Sequence, residues 1–260
     1  MKARRYNSNN IRGKLRVCKY LAASKGLKQH IPHTVLLTES NLKSMSQMYK
    51  SVYIKPDIGS MGIGVYKLNR ISDGFELYST TKRQQHRHHF GSVSAVYRHI
   101  KARHKSRMIV QTTIALDRVN DRPYDIRAMV QRRPGGAWTC TGFLVKVGAG
   151  PNHIVTNYYQ GGTIETIQKH LKKKGFSDSR RESRIQSLSS KAIAVSRALS
   201  SRRSGMREMG IDFAYDKNDR LWILEVNSNH PQFHPLKNLD RKAFSRMLSF
   251  AKSYGRHNSK

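Results

Sequence analysis

The segment GIDFAYDKNDRLWILEVN, residues 210–227, contains two apolar runs on either side of a short polar stretch. The runs cover 211–215 and 220–226, and the stretch 216–219 between them consists mostly of Asp and Asn, which favour turns. This arrangement predicts a β-hairpin whose two strands are largely buried.

Three polar residues belong to this hairpin, namely Asp212, Glu225 and Asn227. Because side chains alternate along a strand, we expect Glu225 and Asn227 on one face, while Leu224 and Val226 enter the core. The adjacent strand can bring Asp212 beside them. Two carboxylates and an amide oxygen form a hard oxygen site that suits Mg²⁺ when substrate phosphates also bind the ion. The alternative is a surface hairpin with scattered polar residues.

A second polar pair, Asp125 and Arg127, lies in an apolar run that is predicted as a strand over 124–132. The two residues are two positions apart and therefore share a face. They either form a structural ion pair beside the core or face a bound nucleotide. Asp125 needs a cationic partner, as Asp212 and Glu225 do, because a buried carboxylate without one is costly.

Lys55 ends a predicted strand over 51–55 and precedes a glycine-rich turn at 57–64, after which a further strand is predicted over 65–68. A lysine on a strand can reach a phosphate, and glycines let backbone N–H groups approach phosphate oxygens closely. A Walker loop or a Rossmann fingerprint would open a helix instead, so neither motif fits.

The rest of the chain mixes helices and strands in irregular order. Residue spacing predicts helices over 42–49 (capped by Asn41), 92–104, 164–174, 187–204 and 239–253, and strands over 75–79, 108–114 and 138–147. This order favours α+β lobes over a repeating βαβ sheet. The cluster His86, His88 and His89 lies in a polar stretch, which we interpret as an exposed loop rather than a metal site.

Charge is the unusual feature of the composition. The 260 residues include 49 Lys and Arg against 16 Asp and Glu, a formal net charge of +33. Such a field permits non-specific contact with polyanions, although solvated basic faces are the simpler interpretation. The sequence shows no zinc-finger or RRM signature, no signal peptide and no apolar run that could span a membrane, so we expect a cytoplasmic protein without a transmembrane segment.

The order of short motifs along the chain resembles that of a known superfamily. The motifs are Lys55-Pro56, GSMGIG at 59–64, Gln111-x-x-Ile114, Asp125-Ile-Arg127, Thr156-Asn157 followed by Gly161-Gly162, Gly210-Ile-Asp212 and Glu225-Val-Asn227. In this order they resemble the ATP-grasp superfamily and, within it, the YheC/YheD endospore coat-associated family. The resemblance runs from about residue 11 to about residue 252.

The resemblance implies the ATP-grasp fold, in which two α+β lobes hold the nucleotide between them. On this basis we expect a basic N-terminal segment at 1–30, an N-terminal lobe with the glycine-rich lid and the hinge at 31–115, a C-terminal lobe with the metal site at 116–255, and a tail at 256–260.

The resemblance also assigns roles to individual residues. It implies that ATP is contacted by Lys55, Gly59, Ser60, Met61, Gly62, Gly64, Gln111, Thr112, Thr113, Ile114 and Asp125. It implies that Arg127, Lys146 and Asn157 act at the phosphates, with Lys146 at a position where we expect an arginine. Asp212, Glu225 and Asn227 match the residues that hold two Mg²⁺ ions.

The activity that the resemblance implies is Mg²⁺- and ATP-dependent joining of a carboxylate and an amine through an acyl phosphate. The acid and the amine are unknown, and the net charge points to an anionic or polymeric substrate. The family name adds an association with the spore coat. A nucleotide-binding structural protein without turnover is the alternative, and a nucleic-acid binder that uses the basic faces is a weaker one.

Overall fold

The computed structural model describes residues 6–59, 62–81, 84–150 and 161–259, except for the side chains of residues 80 and 81. The first part of the described chain contains these elements: α1 (Lys14–Ala22), a short 3₁₀ helix (Lys28–His30), β1 (Thr34–Leu36), α2 (Glu39–Met48), β2 (Ser51–Pro56), β3 (Tyr66–Ile71), β4 (Gly74–Thr81), β5 (Gln84–Phe90), α3 (Val93–Arg103) and β6 (Met108–Thr112).

These strands form an antiparallel sheet in the order β1-β6-β2-β3-β4-β5, which we call the first sheet. Side chains alternate along β2, so one face of the strand is buried and the other is partly exposed. Val52 and Ile54 are buried in a cluster that includes residues of α2 and α3, whereas Tyr53 and Lys55 point to the opposite face. One face of the first sheet is therefore covered by helices, and the other is available to line a site.

The second part of the chain contains the remaining elements: β7 (Arg118–Val119), β8 (Arg122–Gln131), β9 (Thr139–Val147), β10 (Thr163–Glu165), α4 (Ile167–Lys173), α5 (Asp178–Ser200), β11 (Glu208–Tyr215), β12 (Leu221–Asn227), α6 (Leu236–Leu239) and α7 (Arg241–Ser253). The second sheet has the order β10-β9-β8-β11-β12, with β7 paired to β8. None of the helices in the described ranges is long and apolar enough to cross a membrane.

Helices cover both faces of the second sheet. Ile126 and Ala128 of β8 belong to the cluster that contains α5, while Met129 belongs to the cluster that contains α7. Asp125 and Arg127 share the face of Met129, because side chains alternate along the strand. They precede Met129 along β8, and both line an open cleft.

The two ends of the chain pack into the second half of the molecule. Val17, Leu21 and Leu27 join the cluster of the second sheet, and Arg256 is only 2% exposed. The boundaries at residues 31, 116 and 256 stay predictions, but the packing assigns α1 to the second sheet's core. The sequence analysis did not predict α1 as a helix, although its apolar positions are spaced for one.

The first N–H groups of helix α1 donate hydrogen bonds to the glycine-rich segment. Gly13 precedes the helix with φ of 94° and has no capping side chain. Instead, the backbone N–H of Leu15 donates to Asp57 Oδ1 at 2.8 Å, and that of Lys14 donates to the carbonyl oxygen of Asp57 at 2.9 Å. The buried Asp57 carboxylate also lies 3.3 Å from Arg107 Nε. Asp57 thereby connects α1 to the first sheet.

Several predicted elements differ from the observed ones. Thr38 caps α2 through the N–H of Asn41, so the predicted Asn41 cap is wrong. Helix α5 begins at Asp178, nine residues before the prediction, because its polar first turns lack an apolar period. The start of the predicted helix 164–174 is the short strand β10. The histidine stretch is strand β5 rather than a loop, and its exposure on both faces removes the alternation that predicts strands.

Glu208, at the start of β11, is a fully buried carboxylate with three donors. It accepts hydrogen bonds from Tyr6 Oη at 3.0 Å, from Tyr254 Oη at 2.9 Å and from Arg256 Nη1 at 2.6 Å. Both members of the Glu208–Arg256 ion pair are removed from water. The pair therefore holds the two chain ends against the second sheet.

We predict that Glu208→Gln lowers the free energy of unfolding by about 3–5 kcal/mol, because it removes the buried carboxylate charge that pairs with Arg256. Urea unfolding at pH 7 measures this, with Glu182→Gln as a control at an exposed position of α5. The double variant Glu208→Gln/Arg256→Met should recover part of the loss. A single variant as stable as the control would contradict the assignment.

Candidate functional site

A cleft of about 1160 Å³ lies between the first and second sheets. It is lined by most of the residues that the sequence analysis selected: Lys55, Gly59, Gly62, Gln111, Thr112, Thr113, Ile114, Asp125, Arg127, Lys146, Asp212, Glu225 and Asn227. Residues that lie far apart in the sequence therefore converge on one space. Their individual roles stay predictions.

Four selected residues are not placed in this cleft. Gly64, with φ of 69°, packs against Pro56 and His104 and does not belong to the cleft wall. Ser60, Met61 and Asn157 lie outside the described residues.

Asp212 is the centre of the cleft floor. It lies directly opposite Arg127 of β8 and directly opposite Glu225 of β12, so the three side chains share a face. Arg127 donates from Nε to Asp212 Oδ1 at 2.7 Å and from Nη2 to Oδ2 at 2.8 Å. This two-pronged contact fixes both side chains in the plane of the guanidinium group.

Lys146 of β9 connects the two aspartates of the floor. Its Nζ lies 2.7 Å from Asp125 Oδ1 and 3.1 Å from Asp212 Oδ2. Asp125 and Lys146 are cross-strand partners, which places them on the same face. The sequence analysis considered Asp125 and Arg127 as a pair, but the closest contacts join Arg127 to Asp212 and Lys146 to both aspartates.

These charges hold one another in the ionised state. Burial alone would raise the pKa of Asp212, but the charges of Arg127 and Lys146 outweigh burial and hold that pKa well below its usual range. Burial would lower the pKa of Lys146, yet Asp125 and Asp212 raise it. The floor is therefore a compensated network in which the Asp212 carboxylate is ionised at neutral pH.

Glu225 and Asn227 continue the floor along β12. Glu225 Oε1 lies 3.3 Å from Nζ of Lys14, which also donates to the carbonyl oxygen of Gly59 at 2.9 Å. Asn227 shares the face of Glu225, and its Oδ1 accepts from the N–H of Asn229 at 3.1 Å. Lys14 of α1 therefore connects β12, which carries Glu225 and Asn227, to the glycine-rich segment.

Lys55 faces the floor from the first sheet. Its Nζ donates to Gln111 Oε1 at 2.8 Å, and Gln111 Nε2 donates to Thr34 Oγ1 at 2.8 Å. Burial lowers the pKa of Lys55, against the opposing charge of Glu225. The amide of Gln111 therefore orients the lysine toward the cleft.

The prediction that Leu224 enters the core is wrong. Asp212 pairs with Glu225 and Phe213 pairs with Ile223, so Leu224 is the extra residue of a β-bulge. The bulge turns Leu224 into the cleft, while Ile223 and Val226 remain in the core cluster. Leu224 thus adds an apolar surface to the floor.

The sequence analysis missed several residues of the cleft, and strand alternation could have found some of them. Tyr53 and Lys67 are cross-strand partners on the face of Lys55, and both line the cleft. Lys14 and Lys217 also line it. Lys14 belongs to a helix and Lys217 to a turn, and no local sequence pattern there predicts where the side chain points.

The donor set of the floor fits Mg²⁺. Asp212 and Glu225 are cross-strand neighbours on the face that carries Asn227, and together they offer two carboxylates and an amide oxygen. Among the described residues, no group of three or more His, Cys, Asp or Glu side chains is arranged to hold a metal ion on its own. A bound ion would have to share or displace the lysine and arginine contacts of these acids.

Two facing α+β units with this cleft between them define an ATP-grasp protein. The fold matches that of the VanG D-Ala:D-Ser ligase from Enterococcus faecalis, with a TM-score of 0.56, 13% identity, and coverage of 93% of this chain and 61% of that one. It also matches the ATP-grasp ligase PsnB, solved with a phosphomimetic precursor variant, Mg and ADP, with a TM-score of 0.52, 12% identity, and coverage of 93% and 58%. The predicted fold class is confirmed.

The chain belongs to the YheC/D-like ATP-grasp family, whose profile matches residues 2–254. It is 29% identical over 204 residues to the endospore coat-associated protein YheD of Bacillus subtilis (strain 168), which covers 75% of this chain and 44% of YheD. The resemblance inferred from the motifs is confirmed. The chain spans less than half the length of that relative.

We predict that Arg127→Met weakens the pH dependence of stability in acid. The folded-state pKa of Asp212 lies below the value of about 3.9 for an unfolded chain, so its stabilisation is present above that pH and is lost as the pH falls. Without Arg127 the folded pKa moves toward the unfolded one. Urea unfolding between about pH 5 and pH 3 should then show a shallower decline than in the wild type. An unchanged slope would show that Arg127 does not depress this pKa.

Proposed function

We propose that this chain binds Mg-ATP in the cleft and uses it to join a carboxylate to an amine through an acyl phosphate. The observation that carries the proposal is the convergence of Asp212, Glu225 and Asn227 with Arg127 and Lys146 on one sheet face. The family membership and the ligase folds that it resembles support the same class of activity.

In this proposal Asp212, Glu225 and Asn227 hold Mg²⁺, expected as two ions, which would neutralise charge on the ATP phosphates. Arg127 and Lys146 lie on the same face and would offset the charge that develops on the transferring phosphoryl group. Their fixed positions mean that little reorganisation is required when the charge appears.

The first sheet supplies the opposite wall of the proposed nucleotide site. Lys55 would reach the phosphates as a point charge, and Lys14 is a second cation beside Glu225. The hinge at 111–114 would meet the adenine. Because the N–H groups of Thr112 and Thr113 already donate to His33 and Ser51, we propose that the base edge is met from Ile114 onward.

The proposed reaction has two steps. A carboxylate oxygen of the acid substrate attacks the γ-phosphorus of ATP, and ADP leaves. The amine nitrogen then attacks the acyl carbon, inorganic phosphate leaves with the electron pair of the broken C–O bond, and the proton lost by the nitrogen passes to the solvent. The excess of positive charge on this chain favours an anionic or polymeric acid.

We infer the location of this protein in the cell from its similarity to YheD. YheD is described as endospore coat-associated, and we infer that this chain works in the cytoplasm of the sporulating cell and associates with the coat. Non-specific contact with polyanions through the basic surface is part of the same proposal.

We predict that Glu225→Gln reduces ATP turnover by at least about tenfold, because it removes one metal-binding carboxylate without disturbing the buried Asp212 network. Phosphate release is measured with Mg²⁺ and pools of candidate acids and amines. Glu182→Gln, at an exposed position of α5, is the matched control. A folded, Mg²⁺-replete wild type that never turns over ATP with any pool would remove the support for a ligase.

The second candidate function is a nucleotide-binding coat protein without turnover. Asp212, Glu225 and Asn227 all line the cleft, and they favour nucleotide binding whether or not ATP is turned over. We predict that Glu225→Gln weakens the affinity for Mg-ADP severalfold in a calorimetric titration, since that carboxylate contacts the ion. Binding with no hydrolysis would favour the structural protein, and equal affinity of variant and wild type would exclude Glu225 from the metal site.

A further inference from the structure

Two imidazole rings face each other outside the cleft, one on β5 and one on α3. The ring centroids of His88 and His99 are 5.2 Å apart, with an angle of 51° between the ring planes. Phe90, two residues after His88 on the same face of β5, lies 4.9 Å from the His99 ring in an edge contact. Phe90 therefore limits how the His99 ring can turn.

The separation of the rings fits a shared metal ion. Imidazole nitrogens bind Zn²⁺ at about 2.0–2.1 Å in tetrahedral sites, and this geometry places the centroids of two ligating rings about 5 Å apart. Aromatic packing alone also produces centroid distances of about 4.5–7 Å, so the distance permits both interpretations. A metal ion can bind only where the ring nitrogens are not already engaged in hydrogen bonds.

Neither ring hydrogen-bonds to another side chain or to the backbone within the part of the chain that the structure describes. His88 is exposed and His99 is half-buried, so a solvent ion can reach the pair. An imidazole nitrogen with an available lone pair is the atom that binds such an ion.

We propose that His88 and His99 form an open binding site for a divalent transition metal ion such as Zn²⁺, Ni²⁺ or Cu²⁺, with water completing the coordination. Imidazole ligands select these ions over Mg²⁺ and Ca²⁺, which require oxygen. Because only two protein ligands are offered, binding is exchangeable and weaker than in a closed four-ligand site.

A bound ion would connect the edge strand β5 to α3. β5 is the last strand of the first sheet, and it pairs only with β4 within the described residues. The β4–β5 hairpin supplies Tyr78 and Gln85 to the cleft wall. Metal binding at His88 and His99 would therefore stiffen one wall of the cleft from the outside.

Calorimetric titration of the full chain, free of any polyhistidine tag, with Zn²⁺ and with Ni²⁺ tests the site. The titration is run in saturating Mg²⁺, the ion proposed for the oxygen ligands of the cleft. We expect His88→Ala and His99→Ala each to weaken metal affinity by at least about tenfold, and the metal-induced rise in Tm to shrink in both variants.

His89→Ala is the matched control. His89 neighbours His88 but projects from the opposite face of β5, where its Nε2 lies 3.6 Å from Asp73. It should bind metal with wild-type affinity. The proposal is overturned if the wild type shows no saturable binding, or if His89→Ala loses as much affinity as His88→Ala. Circular dichroism confirms folding, and His99→Gln replaces His99→Ala if the latter unfolds.

Discussion

The buried carboxylate of Asp212, held between Arg127 and Lys146, is the constraint on which the cleft floor depends. Its partners come from two other strands, β8 and β9, so the network fixes the register of three strands at once. A slip of one residue in any of them would turn its charged member to the opposite face and leave the others unpaired. The ion pairs of the site therefore form only in this register of the second sheet, and they also stabilise that register.

Helix α1 extends this constraint to the glycine-rich segment. Its first turn is capped by Asp57, and its Lys14 side chain joins Gly59 to Glu225. The body of the helix is fixed in the core of the second sheet by Val17 and Leu21. A displacement of the segment that carries Asp57 and Gly59 thus requires a change at the N-terminus of α1, beside Glu225.

The sequence predicted the parts of the site that follow a local period. The hairpin with Asp212 and Glu225, the shared face of Asp125 and Arg127, and the α+β class all rest on alternation or spacing over a few residues. What it missed depends on partners far away in the sequence. The bulge at Leu224 follows from its pairing with β11, and the contact of Lys146 with Asp212 joins residues that only the folded sheet brings together.

The balance of charge in the cleft explains how such a network can also bind ligands. Eight cationic and four acidic side chains line it among the described residues, and all four of those acids contact a lysine or arginine. A metal ion that took over Glu225 or Asp212 would release a cation, and that cation lies beside the space where phosphates are proposed to bind. Ion pairing thus keeps both the acids and the cations of the cleft in position, and ligand binding would exchange their partners rather than bury new unpaired charge.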